Sequence, residues 1–98
     1  MIAPNSVGEI CLTLKQQQIP YDHSHSRYRF LKPFLATPGA LETFGVPVLS
    51  FCLVQLQKLA STEEGLDYLQ VFETEGNCSN LWFIEDGLVV TALLPSEY

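Results

Sequence analysis

Few residues in this chain carry chemistry, and the first to consider are the paired histidines of Asp22-His23-Ser24-His25. In an extended segment, imidazoles at i and i+2 project to one side and, with a carboxylate, can hold a transition metal. Zinc takes four protein ligands in a structural site, or three and a water in a catalytic one. His23 and His25 are therefore half a site, whose other ligands must come from elsewhere in the chain. Cys78 lies in a polar turn, residues 76–80, from which it could reach a histidine. A cysteine nucleophile also needs a base and a lowered thiol pKa, and nothing local supplies an oxyanion hole or an orienting third group. A metal- or thiol-dependent enzyme using His23, His25 and Cys78 is one expectation, against the plainer reading of a solvated loop and an inert thiol.

Cys11 and Cys52 fall on apolar stripes, where a thiol is small core filler. The acidic pairs Glu63-Glu64, Glu73 with Glu75, and Glu85-Asp86 are expected at turns, solvated and setting charge. No glycine-rich phosphate loop, serine elbow, HExxH pair or calcium loop occurs. The residues thus call for no cofactor and no metal.

These side chains sit on 98 residues, enough for one domain. Hydrophobic residues make up 47% of the chain and charged ones 16%, which leaves few charges to cover the outside and implies a sticky face. The net charge of -6 opposes nucleic acid and anionic membrane, because phosphate affinity comes from Lys and Arg. The basic-aromatic run Arg27-Tyr28-Arg29-Phe30 with Lys32 is read as an element with aromatics inward and cations outward, the alternative being a single-strand grip. Three cysteines without CxxC spacing indicate reduced thiols and a cytoplasmic location. No basic n-region precedes an apolar core at the N-terminus, and polar residues break up the later apolar runs, so neither export nor membrane anchoring is expected.

The elements read as follows. Ser6 and Glu9 make a capping-box pattern, and Val7, Ile10, Cys11 and Leu14 at helical spacing predict an N-terminal helix ending before Pro20. Residues 27–35 suggest a short extended segment interrupted by Pro33. Thr37-Pro38 reads as an N-cap and first helical residue of a short middle helix that Gly45 ends. Leu49, Cys52, Leu53, Leu56, Leu59 and Ala60 then predict a central helix over 47–60, apolar nearly all round. Strands are expected over 67–74, 81–85 and 88–94, the last two joined by a tight Asp86-Gly87 turn. The predicted fold is α+β: a three-stranded antiparallel meander at the C-terminus packed on a central helix, with an N-terminal helix and a short middle helix.

The chain ends in Thr91-Ala92-Leu93-Leu94-Pro95-Ser96-Glu97-Tyr98, and earlier shows Tyr28-Arg29, Thr37-Pro38-Gly39 and a Leu-rich helix. In these features it resembles a loose group of small uncharacterised bacterial proteins, often found on mobile elements, that close with a leucine-rich strand and Pro-Ser-Glu-Tyr. Asp67-Tyr68-Leu69-Gln70-Val71-Phe72 is similar to a strand of a second uncharacterised family, from Gram-positive bacteria. The resemblance spans about seventy residues from Tyr28 onward and implies a setting, that of accessory proteins travelling with phages and plasmids. It assigns no residue a role.

Both faces of the expected strands are apolar, and one helical layer covers only one of them. The expectation is a small acidic non-enzymatic protein-binding module, an inhibitor or counter-defence (anti-CRISPR-like) accessory protein of a phage or mobile element. Acidic charge would steer it toward a basic protein surface. Trp82, Phe83, Glu85, Asp86 and Tyr98 are the expected contacts, with only one of Trp82 and Phe83 able to face outward. A structural homodimer through the sheet face or edge is the third expectation.

Overall fold

The computed structural model describes residues 6–7, 10–14, 28–74 and 80–98. Strands β1 (Ser6–Val7), β2 (Ile10–Leu14) and β3 (Phe34–Ala36) precede helix α1 (Pro38–Glu63). Strands β4 (Leu69–Thr74), β5 (Leu81–Glu85) and β6 (Val90–Leu93) follow, and Pro95–Glu97 forms a last 3₁₀ turn. The sheet order is β1-β2-β4-β5-β6-β3. Its body is the mixed four-stranded array β4-β5-β6-β3, with α1 on one face.

The predicted fold is corrected in three places. The N-terminal helix is replaced by extended chain: Ser6 lies in β1, and β2 pairs antiparallel with β4 through Leu12↔Thr74, Thr13↔Glu73 and Leu14↔Phe72. Ile10, Leu12 and Leu14 alternate as well as they fit a helical stripe, and pairing occupies the backbone edge that β4 would otherwise leave open. The three-stranded antiparallel meander gains β3, which runs parallel to β6 with Phe34↔Val90, Leu35↔Thr91 and Ala36↔Ala92. Pro33 stands just before this strand, and its carbonyl accepts from the Val90 amide at 2.8 Å.

The short middle helix is not separate. One helical element runs from Pro38 to Glu63 and bends at Gly45, whose φ of 81° and ψ of 161° are not helical. Pro47 explains the bend: it has no N–H for the helix ladder, and its ring clashes with the carbonyl four residues back unless the chain opens there. Gly45 takes the positive φ at little steric cost. Thr37 caps the start, its hydroxyl accepting from the Ala40 amide at 3.2 Å. Glu64, at φ 61°, turns the chain out of the helix. Contrary to the expectation from its polar interruptions, α1 is by length and composition apolar enough to cross a membrane. In this fold it packs along a sheet.

The core forms between α1 and the inward sides of the strands. Phe44, Val48, Leu49, Cys52, Leu56 and Ala60 meet Phe72, Leu81, Phe83, Val90 and Ala92. Phe83 is its aromatic centre, stacked on Phe34 at 5.9 Å and edge-on to Phe72 at 5.6 Å. Each such side chain contributes about 1.5–3 kcal/mol on burial. Phe30 closes one end from a left-handed backbone, φ 59°, with its ring fully buried. Its N–H donates to Glu85 Oε1 at 2.9 Å, and its carbonyl accepts from Gln57 Nε2 at 2.8 Å.

Candidate protein-binding surface

Because side chains alternate along a strand, burying Phe83 turns Trp82 and Ile84 to the other face. The register lines up two rows there. Leu69, Ile84, Thr91 and Leu35 are successive cross-strand partners, as are Val71, Trp82 and Leu93. Leu35 is 53% exposed, Trp82 and Ile84 are half-buried, and Leu93 is buried. Among the described residues no helix lies on this face. Its neighbour is the last turn of the chain, from which Tyr98, 78% exposed, meets Trp82 edge-on with ring centroids 5.6 Å apart.

The turn is held by Glu97. Its carboxylate accepts from the Thr37 hydroxyl, from the Leu94 amide at 2.9 Å and from the Gly39 amide at 3.1 Å. The Thr37 hydroxyl first, then the Leu94 and Gly39 amides, hold this carboxyl below its ordinary pKa. A free N–H and the positive end of the helix dipole both favour a carboxylate at this spot. Gly39 leaves room for the close approach, since a Cβ there would lie 2.6 Å from Glu97 Oε2 and push the carboxylate aside. The clasp ties the first turn of α1 to the chain end and sets Tyr98 over Trp82.

The expected contact residues thus separate. Trp82 and Tyr98 lie together on the outer face. Phe83 is in the core. Glu85, expected to be solvated, is 5% exposed and supports Phe30 instead; the end of a strand's inward side is buried even where the turn beside it is not. Asp86 is exposed, and its Oδ1 accepts from the Leu88 amide at 2.8 Å and the Val89 amide at 3.0 Å. Those bonds, Val89 first, lower its pKa. They also make the connection four residues, 86–89, between the paired Glu85 and Val90, in place of the expected two-residue turn. Sequence reasoning missed Leu35, because the strand that carries it pairs with β6 across more than fifty residues of chain.

His23, His25 and Cys78 lie outside the described residues. Among the described residues no three His, Cys, Asp or Glu side chains gather as metal ligands. Cys52 is buried in the core, and burial pushes its thiol up to about 12, far from a thiolate at neutral pH. Comparison with protein-family models, with curated proteins and with solved structures finds no match.

Proposed function

We propose that this protein is a non-enzymatic protein-binding module that docks through the outer face of its sheet. The observation that carries the reading is the apolar surface of Leu35, Ile84, Trp82 and Tyr98 on the side away from α1. Aromatic side chains on a rigid platform are the usual anchors of protein interfaces, and a strand framework keeps them in place without ordering cost. The net charge of -6 favours a partner with a basic rim around an apolar centre. An accessory inhibitor that acts by covering a partner's working surface fits this chemistry, as it fits the setting implied by the Pro-Ser-Glu-Tyr ending.

The test is affinity capture from cells, with mass spectrometry, of the wild type beside Leu35→Glu, Ile84→Glu and Tyr98→Ala. A basic protein held by the wild type and lost from the three variants supports the reading. Retention by all three overturns it.

A further inference from the structure

Strand β3 is the last of the sheet, and among the described residues nothing pairs with its far side. The ladder to β6 fixes which groups point there. The Val90 amide donates to the Pro33 carbonyl at 2.8 Å and the Thr37 amide to the Ala92 carbonyl at 3.0 Å, with Leu35 level with Thr91 between them. Successive residues of a strand turn their backbone groups to opposite sides, so Pro33, Leu35 and Thr37 face β6. The N–H and C=O of Phe34 and Ala36 therefore face outward, an open template for another strand.

The template is three residues long, bounded by Pro33 and by Thr37 where α1 begins. A loose peptide laid on so short an edge would give up more in ordering its backbone than its few hydrogen bonds return. A strand already held in a fold has no such cost, and β3 itself is one that matches. Turned about a two-fold axis through Leu35, perpendicular to the sheet, β3 meets β3 of a second copy antiparallel. Phe34 of each copy then lies opposite Ala36 of the other, exchanging both N–H···O bonds, and Leu35 lies opposite Leu35. The side chains agree with that register. Leu35, 53% exposed on the outer face, gains an apolar neighbour at the closer, non-hydrogen-bonded spacing. On the inner face each large, half-buried Phe34 stands beside the small Ala36 of the other copy. Helix α1 finds its buried strand partners on β4, β5 and β6, inward of this edge.

We propose that this chain dimerises by antiparallel pairing of β3 with β3 of a second copy. Such an interface is isologous, and it joins the two outer sheet faces into one surface with Leu35 of both copies at its centre. It does not rest on the proposed function.

Sedimentation equilibrium over a wide concentration range and amide hydrogen exchange by NMR test it, with circular dichroism confirming that each variant is folded. The wild type is expected to dimerise, and its Phe34 and Ala36 amides to exchange at least tenfold more slowly in the dimer. The Leu35 amide, bonded to β6 in either state, is protected throughout. Ala36→Pro removes an outward N–H that the single copy does not use in its ladder, and is expected to abolish the dimer. Leu35→Glu sets two acids directly opposite each other and is expected to weaken it by about tenfold or more. Ile84→Glu, away from the edge, leaves it unchanged. A wild type that stays monomeric throughout overturns the proposal. So does a dimer indifferent to Ala36→Pro or to Leu35→Glu, one dissociated by Ile84→Glu, or one whose Phe34 and Ala36 amides stay unprotected. Protection of those amides in a monomeric wild type by the captured partner would give the edge to that partner and equally overturn it.

Discussion

Removing the Glu85 carboxylate tests how the core end under Phe30 is held. Phe30 keeps a left-handed backbone that costs a non-glycine residue about 1–2 kcal/mol. Two side chains secure it, Glu85 on its N–H at 2.9 Å and Gln57 on its carbonyl at 2.8 Å. Glu85→Ala leaves a buried N–H without its acceptor, which costs about 1–3 kcal/mol. The one methylene lost adds about 0.8 kcal/mol. The expected loss is therefore about 2–4 kcal/mol, a large part of what a domain this size has. Glu85→Gln keeps an amide oxygen where the carboxylate was and should lose about 1 kcal/mol or less. Urea unfolding followed by circular dichroism measures both. With an m-value of about 1 kcal/mol/M or slightly more, the alanine variant shifts the midpoint by about 2–3 M and the glutamine variant by about 1 M or less. An alanine variant within about 0.5 kcal/mol of the wild type, or a glutamine variant equally damaged, would refute the argument.

Further outcomes follow from other positions. Gly45→Ala should destabilise by about 1–2 kcal/mol in the same urea assay: the site has room, with Pro47 Cδ 3.8 Å from a built Cβ, but φ is 81°. Gly39→Ala pushes the Glu97 carboxylate out of its seat and should free Tyr98 from Trp82, read as a change in the emission of the single tryptophan. Glu97 has a folded pKa below its ordinary 4.5, so its clasp contributes fully above that pH and is lost as pH falls below it through the folded value. Acid titration of tryptophan emission should therefore show a step below pH 4.5 that Glu97→Gln lacks. In a Cys11→Ser, Cys78→Ser background, Cys52 should resist thiol reagents at neutral pH until denaturant is added, because burial holds its thiol near 12.

The legible parts of this fold are those written locally. Leu81–Glu85 is a strand where its apolar run before Asp86-Gly87 placed one, Thr37 caps α1, and the opposite facing of Trp82 and Phe83 follows from strand geometry. What the sequence conceals is pairing over distance. Val7, Ile10, Cys11 and Leu14 satisfy a helical period and, with Leu12, a strand period too; the edge of β4 decides between them, and that edge is sixty residues away. Phe34–Ala36 is too short to announce itself as a strand and is made one by β6. Gly45 with Pro47 reads as a stop because each breaks a regular helix, yet a single positive φ lets the element continue. The same distance effect governs the surface: Leu35 joins Ile84 and Trp82 only through the sheet, and Glu85 is drawn inward by Phe30, fifty-five residues earlier.

Docking through the outer sheet face is tested most directly at Trp82, the single tryptophan of the chain. Biosynthetic fluorotryptophan gives that side chain its own fluorine resonance, which can be followed as the captured partner is titrated in. The resonance is expected to shift with saturation, and Ile84→Glu or Tyr98→Ala is expected to weaken binding by tenfold or more, about 1.4 kcal/mol. A partner that binds while the Trp82 resonance stays where it was, with undiminished affinity for both variants, would contradict the account.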